Sequence, residues 1–275
     1  MVFDLAEALI NLENHGVLVT GSTMGVGRGI VEACAASGAD VVIHGQPGEK
    51  EPVEVIANCR ASGVSATHVA HELLGEADRV ADDLFQATRA HLPHVDMLVN
   101  NAGSLFDIPF EQMTVEIFEK TLRLNVMAGY FLTQRFARHW IEHGIRGRVV
   151  FTGSINGRLA EVGSTSYDIS KGAIEMMVRT LAVYLIRDGI RVNGIAPGVI
   201  RTPLADEYFR DRPNDRAWIE YHTPNRAIPG PESCGPAVVY LLSDASEHVV
   251  GHMLMVDGGM SAWQHPWFGT WGKDD

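Results

Sequence analysis

Residues 17–20 read Val-Leu-Val-Thr, a short apolar run rich in β-branched residues, and Gly21-Ser22-Thr23-Met24-Gly25-Val26-Gly27 follows at once. Beyond the glycines comes a small-residue helical pattern, Val31-Glu32-Ala33-Cys34-Ala35-Ala36, which ends at Gly38. Buried strand, glycine loop and helix in that order restrict the chain to few folds. The glycines permit a tight turn and let backbone N–H groups approach another group closely. The helix N-terminus then faces the same point, which makes the loop a cradle for a pyrophosphate. The spacing is G-x-x-x-G-x-G rather than G-x-G-x-x-G.

The rest of the chain alternates in the same way. Strand patterns fall near 17–20, 41–44, 66–70, 96–99, 147–152, 190–195 and 253–256. Helical patterns fall near 25–37, 51–62, 76–91, 114–143, 166–187 and 232–243. Such alternation predicts an α/β fold: one Rossmann-type, doubly wound, parallel seven-stranded sheet with helices on both faces. Crossovers are expected to be right-handed, and the ligand to lie at the carboxyl ends of the strands. A length of 275 residues suits one domain over 1–275. Residues 201–231 break the alternation; long connections in compact domains are often functional lids, and this one is expected to be the most mobile segment. Residues 261–275 form an aromatic tail.

A second constellation lies downstream. Tyr167 and Lys171 are four residues apart, with Ser154 thirteen residues before the tyrosine. Four residues is about one helical turn, so phenol and ammonium share a face. A free tyrosine has a pKa of about 10, and a nearby cation favours the phenolate. Ser154 offers a hydroxyl to the same substrate oxygen. The set suits moving a proton on and off an alcohol while a hydride moves elsewhere.

Read in order, these segments resemble the short-chain dehydrogenase/reductase family, in its oxidoreductase branch. The motifs are Thr20-Gly21-x-x-x-Gly25-x-Gly27, Asn100-Asn101-Ala102-Gly103, Asn125, Ser154, Tyr167-x-x-x-Lys171, Pro197-Gly198 and Asp257-Gly258-Gly259. The resemblance runs from about Gly16 to Met260. It implies Tyr167 as acid/base, Lys171 as the cation that lowers its pKa and holds the nicotinamide ribose, and Ser154 as the group orienting the substrate. Asn125 is implied to hold a water that links Lys171 to solvent. Gly21, Ser22, Thr23, Met24, Gly25, Val26 and Gly27 would bind the cofactor phosphates. Asn101, Ala102 and Gly103 would line the adenosine side, and Pro197, Gly198, Ile200 and Thr202 the nicotinamide side. Glu72-Leu73 stands where the family commonly has an aspartate and an apolar residue at the adenine.

The implied cofactor is NAD or NADP. The second strand ends at His44, followed by Gly45, Gln46 and Pro47, and the adenosine ribose is expected at His44. An acid there would bind the ribose 2′-OH of NAD, and an arginine would accommodate the phosphate of NADP. The missing acid weighs slightly against strict NAD use, and no base replaces it, so both stay open.

The reaction implied is interconversion of a small-molecule secondary alcohol and a ketone. Acyl-carrier-dependent reductases of the family carry basic residues near the site, whereas this chain has Asp188. That weighs against a 3-oxoacyl thioester and towards a sugar or polyol, as does the ending Gly258-Gly259-Met260-Ser261-Ala262-Trp263. A catalytically silent NAD(P)-binding regulator is the reading from another class. The intact Ser154, Tyr167 and Lys171 oppose it. A pure interaction protein using the tail is a third.

A net charge of −12 lacks the basic footprint of a nucleic-acid binder. No apolar stretch is long enough for a transmembrane helix, and the acidic Met1–Glu7 start lacks the features of a secretion signal. A cytoplasmic protein is expected, and the family resemblance implies a homotetramer. Cys34, Cys59 and Cys234 suggest no disulfide framework, and Cys34 is expected to pack as a small hydrophobe. His139 and His143 are four apart, but no third ligand accompanies them, so no metal is expected. Trp263, Trp267 and Trp271 recur every fourth residue, with Pro266 opposing a continuous helix. Burial against a neighbouring subunit is expected of them, with a reach towards that subunit's substrate pocket as the sharper alternative.

Overall fold

The structure, a computed structural model, describes residues 10–210 and 212–263. Among them, strands β1 (Gly16–Val19), β2 (Asp40–Gly45), β3 (Ala66–Ala70), β4 (Val95–Asn100), β5 (Arg148–Thr152), β6 (Arg191–Pro197) and β7 (Met253–Val256) form one sheet. Its order is β3-β2-β1-β4-β5-β6-β7, and every pair is parallel. Each strand lies within two residues of its expected span.

Side-chain alternation along the strands feeds two cores. Leu18, Val42, Leu98, Val149, Phe151 and Val192 face one side. There they meet helices α3 (Ala77–His91), α5 (Ala128–His143) and α6 (Thr165–Leu185). Val17, Val19, Ile43, Met97, Val99, Val150 and Ile195 face the other side, against α1 (Gly25–Ala36), α2 (Val53–Ala61) and α9 (Gly235–Leu242). The order reverses direction between β1 and β4, and the crevice where such folds bind ligands opens beyond their carboxyl ends. Cys34 is buried in the second core, and all three cysteines are free.

Two spans differ from expectation. Residues 114–143 are not one helix. Helix α4 (Val115–Leu122) is capped by Thr114, whose hydroxyl accepts from Ile117 N at 3.3 Å. A π-helical segment, Arg123–Met127, then joins it to α5. A π turn inserts one extra residue, a change of phase that hydrophobic periodicity does not reveal. Within 201–231 the chain forms α7 (Pro203–Arg210) and α8 (Pro213–His222). Both start at a proline, whose fixed φ and missing N–H suit the first helical turn.

Candidate active site

The glycine loop is shaped by close approaches. Gly21 and Gly25 have φ of +61° and +55°. A Cβ on Gly27 would fall 2.1 Å from Gly21 O. Met24 precedes α1 without a side-chain cap, and the first turn of α1 holds no acid. Its N–H groups therefore remain for an anion, and the cradle fits a dinucleotide pyrophosphate. Val26 packs on the core behind the loop.

Thr20 and Asn101 join this loop to the end of β4. Thr20 Oγ1 accepts from Asn101 N at 2.9 Å and Ala102 N at 3.0 Å. Asn101 Nδ2 donates to Thr20 O and Gly21 O, both at 3.0 Å. Thr202 comes to the same loop: its methyl lies 3.5 Å from the point a Gly25 Cβ would occupy, and its hydroxyl accepts from Ala205 N at 3.2 Å. Gly198 packs against Asp257, where a Cβ would meet Asp257 Cα at 3.0 Å. Pro197 ends β6. Ile200, expected beside the nicotinamide, is buried in the α1-side core.

His44 is not an open ribose contact. Its ring is buried; Nδ1 accepts from Gly21 N at 3.0 Å, and Nε2 donates to His71 O at 3.1 Å. This pattern fixes the neutral tautomer with hydrogen on Nε2. Burial lowers its pKa to about 4. Ser22 completes the brace: its hydroxyl donates to Val19 O at 2.7 Å and accepts from His44 N at 3.0 Å. Both residues shape the loop from behind. At the adenine edge, Glu72 Oε1 accepts from Leu73 N at 2.8 Å and Leu74 N at 2.9 Å, so the carboxylate caps its own turn.

The second constellation gathers at the carboxyl end of β5 and the first turns of α6. Lys171 is buried, and its Nζ donates to Thr152 O at 2.9 Å. The same Nζ lies 5.3 Å from the centre of the Tyr167 ring. Burial lowers Lys171 to about 8. Burial pushes the Tyr167 phenol up to about 12; the Ser154 hydroxyl opposes the rise, and the Glu161 and Asp168 carboxylates add to it. The lowered phenol pKa expected from the sequence is thus not a property of the chain by itself. The ammonium is turned to a carbonyl, and desolvation of the phenolate dominates.

Ser154 Oγ accepts from Asn156 N and donates to Asn156 Oδ1, both at 3.2 Å. Asn156 Nδ2 in turn donates to Asp168 Oδ1 at 2.8 Å and Glu161 Oε2 at 3.0 Å. Asn125 sits in the π segment with its amide engaged at both ends. Oδ1 accepts from Ser104 N at 2.9 Å, and Nδ2 donates to Ser104 O at 2.9 Å and Ser170 Oγ at 3.0 Å. The amide staples the loop after β4 to α6, beside Gly103, whose added Cβ would lie 3.1 Å from Asn125 Oδ1. Asn100 and Thr152 line a small cavity with Asn125, and Asn100 Oδ1 and Thr152 Oγ1 have no partner among the described residues. Asn156 and Ser170 also position these groups, yet a single serine or asparagine carries no pattern to single it out.

No metal cluster of His, Cys, Asp or Glu occurs among the described residues. His139 is buried and His143 exposed, with their rings 4.1 Å apart on one face of α5. Trp263 Nε1 donates to His222 O at 2.9 Å, tying the tail's first tryptophan to α8 of its own chain. Trp267 and Trp271 lie outside the described residues. No described helix is long and apolar enough to cross a membrane.

The family model described as enoyl-(acyl carrier protein) reductase matches residues 21–261. L-rhamnose 1-dehydrogenase (NAD(P)(+)) of Sphingomonas sp. strain SKA58 is 30% identical over 249 residues, covering 90% of this chain and 97% of its own. Gluconate 5-dehydrogenase of Gluconobacter oxydans strain 621H is 33% identical over 258 residues, covering 92% and 97%. The crystal structure of gluconate 5-dehydrogenase from Burkholderia cenocepacia J2315, in complex with NADP and tartrate, superposes with a TM-score of 0.85 at 28% identity, covering 94% of this chain and all of that one. The chain belongs to the short-chain dehydrogenase/reductase family. It is an NAD(P)-dependent oxidoreductase acting on CH–OH groups.

Proposed function

We propose that this protein interconverts a secondary alcohol and a ketone on a sugar or polyol, with Tyr167 as the acid/base. The observation that carries this is the meeting of Ser154, Tyr167 and Lys171 beyond β5, with Lys171 Nζ 5.3 Å from the phenol ring. The sugar dehydrogenases among its relatives support the substrate class. In the reducing direction the Ser154 hydroxyl holds the substrate oxygen, and the Tyr167 O–H gives its proton to that oxygen. In the oxidising direction the phenolate takes that proton back. The elevated phenol pKa makes Tyr167 a proton donor at rest, so oxidation requires added positive charge at the site. The bound nicotinamide supplies the hydride acceptor or donor and, when oxidised, a positive ring. Lys171 would add its ammonium and hold the nicotinamide ribose.

The cofactor's phosphates would rest on Gly21–Gly27, its adenosine beside Asn101–Gly103, and its nicotinamide near Pro197, Gly198 and Thr202. The chain works as one domain, with α7 and α8 closing over the substrate. No described side chain of α8 is buried, which suits a segment that moves. The assembly is a cytoplasmic homotetramer. Ile169, Met176, Val183 and Tyr184 form an exposed apolar face on α6 that a second copy would cover.

The test is a panel of aldoses, sugar acids, polyols and one 3-oxoacyl thioester, followed at 340 nm with NAD(H) and NADP(H). Turnover of a sugar or polyol is expected. Turnover of the thioester alone would overturn the substrate class, and binding of cofactor without any turnover would favour the regulatory reading.

A further inference from the structure

The sequence shows no charge at the end of β2 as far as Pro47, yet the fold places a carboxylate there. The chain reverses through Gly48, whose φ is +85°. Glu49 then lies back on the strand end, where its Oε2 accepts from Thr23 Oγ1 at 3.2 Å and Gln46 N at 3.3 Å. Thr23 belongs to the glycine loop, so this acid touches the phosphate cradle itself. A Cβ added to Gly45 would sit 2.5 Å from Thr23 Cγ2, 2.8 Å from Glu49 Oε2 and 3.2 Å from His68 Nε2. Three side chains therefore converge beside Gly45, and a larger residue there would push them apart. His68 Nε2 has no partner among the described residues.

In folds of this kind an acid at the end of the second strand accepts a hydrogen bond from the adenosine ribose 2′-OH, whereas a cation there takes a 2′-phosphate. The nearby cations do not favour the phosphate. Arg28 is already bridged to Glu32 at 3.0 Å and Glu54 at 2.7 Å. Lys50 follows Glu49 directly on an exposed turn. We propose that Glu49 reads the adenosine ribose and gives this enzyme a preference for NAD over NADP, a proposal resting on the cofactor site described above. A ribose hydroxyl takes the place of the Thr23 hydroxyl on the carboxylate, and His68 Nε2 is the second polar atom in reach. A 2′-phosphate in the same place meets like charge.

The test is equilibrium titration of the full chain with NADH and NADPH, followed by nicotinamide fluorescence, for wild type, Glu49→Gln and Lys50→Ala. Unchanged melting temperatures would establish that the variants fold. Wild type is expected to bind NADH at least about tenfold more tightly than NADPH, equivalent to roughly 1.4 kcal/mol. Glu49→Gln is expected to bring the two constants within about threefold, mainly by tightening NADPH. Lys50→Ala should keep the wild-type ratio. A wild type that favours NADPH, an unchanged ratio in Glu49→Gln, or loss of NADPH binding confined to Lys50→Ala would overturn the proposal. Failure of both cofactors to bind wild type would overturn the cofactor site itself, and this proposal with it.

Discussion

Lys171 Nζ donates to the Thr152 carbonyl oxygen at 2.9 Å while standing 5.3 Å from the centre of the Tyr167 ring. Its charge is buried without a carboxylate partner in that contact, so it is held at a cost to stability. The two neighbours divide the labour: the main chain fixes the ammonium, and the ammonium sits within reach of the phenol.

That cost has a pH dependence. Burial lowers Lys171 from its ordinary 10.5 to about 8. Between those values the unfolded chain carries a proton that the folded chain does not, so stability from this group rises with pH across that window. Below about pH 8 the whole penalty is present. Lys171→Met is therefore expected to be more stable than wild type at pH 7, by on the order of 2–3 kcal/mol, at about 1.36 kcal/mol per pKa unit less the lost Thr152 hydrogen bond. The gain should shrink towards pH 10.5. Urea unfolding of the cofactor-free proteins at both pH values measures it, and a variant less stable at pH 7 would contradict the prediction.

His44 gives a slope of the same sign in a lower pH window. Its folded pKa, lowered by burial to about 4, lies below the ordinary 6.5. The unfolded chain takes up the proton first as pH falls, so stability drops from about pH 6.5 to about 4 and levels off below. Replacing His44 by Asn is expected to lower stability at pH 7 by about 1–3 kcal/mol, because Gly21 N loses its buried acceptor. The same variant should lose less than wild type between pH 7 and 4.5. Equal acid sensitivity in the two proteins would argue against this role.

Two glycines with different surroundings should separate strain from collision. Gly48 has φ +85° but nothing within 4 Å of an added Cβ, so Gly48→Ala is expected to cost about 1 kcal/mol from backbone strain. Gly27→Ala would drive a methyl onto Gly21 O at 2.1 Å. That collision is expected to cost more than about 3 kcal/mol and to abolish NAD(P)H binding. Thermal melts and cofactor titration of the pair would show whether the two differ.

Much of this was legible in the sequence because strand alternation and glycine spacing are local properties. The seven strands follow from short apolar runs, and Tyr167 and Lys171 come together because a helix brings i and i+4 to one face. What escaped detection depends on phase or on distance. The π turn at Arg123–Met127 leaves the apolar pattern of 114–143 intact. Helices α7 and α8 are short and mix charged with apolar residues, and only Pro203 and Pro213 marked their starts. His44 shares the parity of Val42 in β2, a clue that it points inward towards a core rather than out to a ribose. Glu49 reaches the glycine loop only because the chain folds back through Gly48. The phenol's raised pKa follows from burial, which residue spacing cannot report.

The central claim is that the Tyr167 phenol transfers the substrate proton. Single-turnover hydride transfer by Tyr167→Phe, with a substrate from the panel and with cofactor affinity measured in parallel, tests it most directly. The rate is expected to fall by roughly 10²–10⁴-fold while the NAD(P)H dissociation constant changes by less than about threefold. A variant that transfers hydride at close to the wild-type rate would contradict it.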